Sequence, residues 1–194
     1  MNIKIITGSV RSSRVGPQIS QWILTTIQQS AAYSSSEIVD LKKWQLPLDD
    51  EPYLPATGQY VQPLTRRWSK KIKEGDIIIF VFPQYNAGYP AALKNAIDHL
   101  YDEWNAKPAI IVSYANRGGG KAASQMRQVL EGIFMRPLSS EIEIKLSEMN
   151  FDPMGRIADP ESSLAVYQDK LMGLMHEAES ILYEEKIKFW KGIC

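Results

Sequence analysis

Between Asp76 and Pro83 the chain sets six apolar residues in a row, Ile77-Ile78-Ile79-Phe80-Val81-Phe82. A strand with one wet face alternates apolar and polar side chains. A run without alternation predicts a strand covered on both faces, as in a parallel sheet held between two layers of helices. The run leads through a polar-aromatic turn, Pro83 to Tyr89, into a helical stripe of Leu93, Ala96, Ile97, Leu100, Tyr101 and Trp104, with Pro108 marking its end. In open α/β sheets ligands bind beyond the carboxyl ends of the strands, so the 83–89 turn is expected to face a flat small molecule.

The same alternation of strand and helix signals runs along the chain. Ile3 to Thr7 reads as a strand, Gly8 to Gly16 as a loop, and Pro17 as the opening of a helix with Ile19, Ile23, Leu24 and Ile27 on its apolar face, ending near Ala32. Ser36 to Leu41 is a second strand. The Pro-rich connection from Lys42 to Gly58 has the length of a lid. A helix over 60–74 precedes the apolar run. Ala109 to Ser113 reads as a fourth strand and Lys121 to Phe134 as a helix. Ile142, Ile144 and Leu146, alternating with Glu141, Glu143 and Lys145, form a fifth strand, and a last helix runs from Ser162 to about Lys188. Right-handed crossovers between such elements predict an α/β, doubly wound sheet of about five strands in one domain over residues 1–194.

Charge and cysteine content narrow the function classes. The 22 basic and 22 acidic residues cancel, and no basic run suggests a nucleic-acid partner. No stretch approaches the roughly 20 apolar residues of a membrane span, and the apolar patch from Ile3 to Ile6 is too short for a signal peptide. The single cysteine, Cys194, fits a reducing compartment. A cytoplasmic protein is expected.

Three loops are expected to share one sheet edge. In Gly8-Ser-Val-Arg-Ser-Ser-Arg-Val-Gly16, hydroxyls and two arginines precede a helix whose free N–H groups carry partial positive charge, a match for a phosphomonoester. A Ser-rich capped turn with solvated arginines reads equally well. Pro83-Gln84-Tyr85-Asn86 offers amide edges and an aromatic face for a heteroaromatic ring, or else Tyr85 and Tyr89 cover the helix end. The third loop, Tyr114 to Gly120, brings three glycines beside Arg117 and Lys121, as a ligand-approaching loop or a plain flexible turn.

Other signatures fail. Gly118 to Ala123 contains G-x-G-x-x-A but lies four residues beyond its strand, and Lys121 is followed by alanine where a P-loop needs Ser or Thr. His99 and His176 have no spacing for a metal or a triad, and Asp49, Asp50 and Glu51 read as solvated. A ligand cradle without an evident acid, base or nucleophile points to a bound cofactor as the source of the chemistry.

Taken together, GSVRSSRVG, PQYNAGYPAALKNAID and VSYANRGGGKAA resemble the NADPH-dependent FMN reductase family, flavodoxin-like enzymes that include quinone and azo reductases. The resemblance implies a five-stranded parallel sheet in the order 2-1-3-4-5, with FMN as cofactor and NADPH or NADH as hydride donor. It implies that Ser9, Arg11 and Arg14, with Gly16 nearby, hold the FMN phosphate. Pro83, Gln84, Tyr85 and Asn86 would contact the isoalloxazine, and Ser113 and Gly118 would border its other edge. The implied reaction passes hydride through FMN to a quinone, azo compound, free flavin or similar small-molecule acceptor by a ping-pong mechanism. A homodimer across the Leu93, Ile97, Tyr101, Trp104 stripe is also implied. An FMN-binding redox sensor or electron relay is the alternative, and a hydrolase or transferase of a phosphorylated substrate a more distant one.

Overall fold

The six-residue run becomes β3 (Ile77–Pro83), buried at every position, in the middle of a parallel sheet. The structure is a computed structural model that describes the backbone of residues 1–190 and the side chains of residues 1–184; Cys194, on which the expectation of a free thiol rests, lies outside the described residues. On one side of β3 lies β1 (Ile3–Thr7), with Ile5 opposite Ile79, and beyond it β2 (Glu37–Asp40). On the other side lies β4 (Pro108–Ala115), with Ile110 opposite Ile79. The order β2-β1-β3-β4 followed by an edge is the flavodoxin-like order expected from the sequence.

That edge differs in one respect. It is divided between β5 (Arg136–Pro137), beside Pro108 and Ala109, and β6 (Ile142–Lys145), beside Val112 to Ala115. The sheet therefore has six strands where five were expected. Between the two pieces the backbone N–H and hydroxyl of Ser139 both donate to the Glu177 carboxylate, at 2.7 and 2.6 Å, and are lost to the ladder.

Helices cover both faces, and the parity of β3 decides which. Ile77, Ile79 and Val81 pack toward α1 (Gly16–Ile27) and α7 (Gln168–Trp190), among Ile19, Ile23, Leu171 and Met175. Ile78, Phe80 and Phe82 pack toward α3 (Pro63–Lys73), α4 (Ala91–Asp98) and α5 (Gly120–Gly132), among Trp68, Ile97, Trp104 and Met126. Each such buried side chain contributes about 1.5–3 kcal/mol relative to exposure, so the pattern fixes the layering. The one charge in β1, Lys4, is itself buried and pairs with Glu37 on β2, the arrangement a buried ammonium requires.

Several boundaries fall elsewhere than the periodicity suggests. The first helix stops at Ile27, because the Ser30 side chain caps a separate 3-10 turn over Ala31–Tyr33 that tucks Tyr33 into the core. The helix after β3 ends at Asp98, ten residues before Pro108, which instead opens β4. Its apolar stripe continues through a turn in which Trp104 Nε1 donates to the Ile97 carbonyl at 3.0 Å. Leu93, Ile97 and Trp104 are at most 1% exposed, and Tyr101 is half-buried near the Phe134 ring. The stripe is spent inside the subunit, where Leu93, Ile97 and Trp104 belong to the core. The last helix is preceded by a short α6 (Pro160–Leu164) and a 3-10 turn.

The Pro-rich connection is fastened down. After α2 (Leu41–Trp44), the Glu51 carboxylate accepts from the Val61 and Gln62 amides, and Tyr60 donates to the buried Glu103 at 2.9 Å. Asn95 donates to the Pro47 carbonyl. Glu51 thus tethers the loop where simple solvation was expected, and no residue of the 42–58 segment borders the cavity described next.

Candidate functional site

Gly8 leaves β1 with its N–H donating to the Val81 carbonyl at 2.8 Å, and a Cβ there would stand 2.9 Å from Leu93, so glycine is needed for the exit. Ser9 is fully buried, with its hydroxyl 2.7 Å from the Tyr85 hydroxyl. Arg11 is exposed and lays its guanidinium carbon 3.7 Å from the centre of the Tyr85 ring. Arg14 forks onto both oxygens of Asp40 at 2.6 Å and donates to the Ser9 carbonyl at 2.5 Å. Burial pushes the Asp40 carboxyl up, but the bonds from Arg14 and the Lys42 amide outweigh it and hold it below the usual carboxylate range. The α1 helix then opens at Val15 with no side-chain cap and with Pro17 in its first turn.

The second loop leaves β3 at Pro83. Gln84 is held at both ends: its N–H donates to the Tyr114 carbonyl at 3.0 Å, and its side-chain oxygen accepts from the Ala122 amide at 3.2 Å. Tyr85 and Gly88 exchange backbone hydrogen bonds around Asn86 and Ala87, both at positive φ, 49° and 68°. That is the tight bend of a hairpin whose two central residues are left-handed. Asn86 stands at its exposed tip and does not border the cavity.

In the third loop the Ser113 hydroxyl donates to the Gly118 carbonyl at 2.9 Å. Gly118 and Gly119 take φ of 94° and 92°, and Cβ atoms at Gly118 and Gly120 would lie 2.9 and 2.7 Å from Glu143 on β6. These glycines serve close packing against the edge strand. The residues this loop turns toward the cavity are Ala115, Asn116 and Arg117.

One cavity of about 620 Å³ joins the three loops, within the range of small-molecule and cofactor sites. Arg11, Ser13 and Arg14 border it from the first loop and Pro83, Gln84 and Tyr85 from the second, the two sets meeting where Arg11 lies over the Tyr85 ring. Among the described residues its lining holds arginines but no carboxylate, histidine or cysteine. Ser9, Gly16, Ser113 and Gly118 are buried and do not border it. A further wall, absent from the sequence reading, comes from Leu146, Phe151 and Gly155. Phe151 bridges to Ile157 across a turn in which Asp152 accepts from the Met154 and Arg156 amides. Gln18 on α1 fixes this hairpin by donating to the Ile157 carbonyl and accepting from its N–H, both at 2.9 Å. The Asp152-Pro153-Met154-Gly155 run carried a turn signal that could have located it. Tyr114, read from the sequence as the start of the third loop but given no ligand contact there, is part of β4 and also lines the cavity.

A profile of the family described as NADPH-dependent FMN reductase matches residues 1–146. The chain belongs to the NADPH-dependent FMN reductase family. It is similar to the NAD(P)H-dependent FMN reductase LOT6 of Saccharomyces cerevisiae, 40% identical over 188 residues that cover 90% of this chain and 95% of that protein. Similarity to the NAD(P)H-dependent FMN reductase C4B3.06c of Schizosaccharomyces pombe reaches 48% over 136 residues, 69% of this chain and 68% of the relative. Among solved structures, FerB of Paracoccus denitrificans, titled a flavoenzyme NAD(P)H:(acceptor) oxidoreductase, shares the fold with a TM-score of 0.69 at 20% identity, covering 92% of this chain and 97% of that one. The motifs that carried the resemblance, GSVRSSRVG, PQYNAGYPAALKNAID and VSYANRGGGKAA, all fall inside the region matched by the NADPH-dependent FMN reductase profile. The oxidoreductase class, with FMN and NAD(P)H as its cofactors, is the class this family's name carries.

Proposed function

We propose that this chain is an FMN-dependent NAD(P)H oxidoreductase of the cytoplasm that reduces quinones, azo compounds, free flavins or similar flat acceptors by a ping-pong mechanism. The observation that carries this reading is one cavity bordered both by an uncapped helix start with its arginines and by the amide-and-tyrosine bend, which touch where Arg11 lies over Tyr85. Those two borders suit the dianionic phosphate and the ring of FMN, and the buried Tyr114 hydroxyl left without a partner beside Gly16 fits an anionic group at the helix start. The chemistry supplied when FMN is bound is transfer of a hydride equivalent from a nicotinamide to an acceptor.

The chain's own residues bind, orient and shield. Arg11 is the cation available to the phosphate, because it is exposed while Arg14 is committed to Asp40 and serves instead to fix the loop through the Ser9 carbonyl. Ser9 holds the Tyr85 hydroxyl, so a hydrogen bond ties the ring-contacting bend to the phosphate loop. Gln84, pinned between Tyr114 and Ala122, presents its remaining amide donor to the pyrimidine edge. Pro83 and Tyr85 give the ring a stiff edge, Asn86 and Gly118 support the two turns, and Ser113 keeps Gly118 in place. Ping-pong order is supported by the presence of one slot, which both the nicotinamide and the acceptor must use in turn.

The homodimer expected by family likeness has no support from the α4 stripe, and light scattering of the purified protein measures it directly. The test of the catalytic reading is an absorption spectrum before and after NADPH under argon, followed by steady-state turnover with a quinone. A flavin band that bleaches, with parallel lines in the two-substrate analysis, is expected. A colourless protein that takes up no FMN overturns the reading.

A further inference from the structure

Tyr114, the next-to-last residue of β4, is 3% exposed, and its hydroxyl has no hydrogen-bond partner; among the described residues only the Asn2 side-chain oxygen shares that condition. Buried hydroxyls are nearly always paired, so an orphan at a cavity wall calls for a reason. The geometry supplies one. A Cβ on Gly16 would lie 2.7 Å from the Tyr114 oxygen, which places that oxygen directly beneath the first residue of α1. The same helix opens without a side-chain cap. Nearby groups face the Tyr114 oxygen as donors: Arg14 is an obligate donor forked onto Asp40, and the Ser9 hydroxyl, itself paired with Tyr85, and the Gly16 N–H lie where they favour negative charge on that oxygen. What this O–H lacks is an acceptor. No carboxylate of the cavity lining offers one.

We propose that the Tyr114 hydroxyl donates to a phosphate oxygen of the ligand seated at the start of α1, making Tyr114 a phosphate-reading residue of the site. The proposal rests on the flavin reading above and assigns to this side chain the distinction between FMN and riboflavin, which differ by that phosphate. Burial, with the neighbouring Tyr85, pushes the Tyr114 hydroxyl's pKa up and outweighs the opposing pull of Ser9, Arg14 and the Gly16 N–H, so the proton to be donated stays in place throughout the neutral range.

The test titrates flavin-free protein with FMN and, separately, with riboflavin, followed by quenching of flavin fluorescence, in wild type and in Tyr114→Phe. The expected result is an FMN Kd raised about tenfold in the variant, as for loss of one hydrogen bond to a charged group, with the riboflavin Kd changed less than about twofold. Unchanged FMN affinity, or equal losses for both flavins, overturns the proposal. A wild type that prefers FMN to riboflavin no more than the variant does has the same consequence, whereas a wild type that binds neither flavin overturns the flavin reading itself. If a melting curve shows Tyr114→Phe unfolded, Gly16→Ala is titrated in its place, because the added methyl displaces the hydroxyl from its 2.7 Å position and should produce the same selective loss of FMN.

Discussion

The guanidinium of Arg11 rests 3.7 Å above the ring of Tyr85, so the loop that follows β1 and the bend that follows β3 are joined by a cation over an aromatic face. Such a contact at a solvent-exposed site is worth about 0.5–1 kcal/mol, enough to hold the arginine over the cavity but little enough to surrender it to a phosphate. Arg11→Ala is therefore expected to raise the FMN Kd by roughly ten- to a hundredfold, as for loss of a charge-assisted hydrogen bond, with little change in the melting temperature. The flavin-to-protein absorbance ratio after gel filtration measures it. Full flavin content in the variant would remove Arg11 from the phosphate site.

Arg14 and Asp40 lead to a pH dependence. Asp40 is 11% exposed and its carboxyl titrates lower in the folded chain than in the unfolded one. A depressed carboxylate contributes stability that is present above its unfolded value of about 3.9 and is lost as pH falls through the folded value. Asp40→Asn, which leaves the Arg14 charge without its partner, should cost about 3 kcal/mol near pH 7. The gap between wild type and variant should then narrow as the pH drops below about 4. Denaturant midpoints at several pH values report this; a gap independent of pH would mean that the ion pair is not its source.

Ala87 sits at φ 68° in the bend between Tyr85 and Gly88, a left-handed conformation that costs a residue with a Cβ about 1–2 kcal/mol. Part of that is recovered by glycine, offset by its larger loss of chain entropy. Ala87→Gly is expected to stabilise the protein by about 0.5–1 kcal/mol, read as a higher urea midpoint at unchanged slope. A lower midpoint would show that the Ala87 methyl makes packing worth more than the strain.

The parts of this architecture visible in the sequence were those written as periodicity or as contiguous motif. Ile77 to Phe82 announced a two-faced buried strand, and Ile142 and Ile144 announced an edge strand with Glu143 and Lys145 in water, because burial parity is encoded residue by residue. Helix ends were harder: Asp98 ends α4 through a turn organised by the buried Glu103, whose partners Tyr60 and Ser69 come from distant chain. In the site, the three loops could be found because each follows a strand directly. That Arg14 is spent on Asp40, that Gly118 packs on Glu143, and that Tyr114 has no partner are facts about contacts between separate elements, which no local pattern records.

The hairpin over residues 151–157 is the wall that local patterns concealed most fully, and its attachment to α1 passes through one side chain. Gln18 satisfies both backbone groups of Ile157, a residue only 2% exposed. Gln18→Ala leaves a buried N–H and carbonyl short of partners, at a cost of roughly 1–3 kcal/mol, and frees Phe151 and Gly155 to move away from the cavity. Loosening a wall that makes no charged contact with the phosphate should act on how long FMN stays more than on how fast it arrives. The expected signature is a several-fold faster release of FMN on dilution, seen as recovery of flavin fluorescence, with an association rate close to wild type. Gln18→Glu separates packing from hydrogen bonding, since a carboxylate still accepts from the Ile157 N–H but no longer donates to its carbonyl. Its release rate should fall between wild type and Gln18→Ala and approach wild type as the pH is lowered and the carboxyl regains a proton to donate. Equal release rates in all three proteins would show that the hairpin does not hold the ligand, and that the cavity is closed by the three strand-end loops alone.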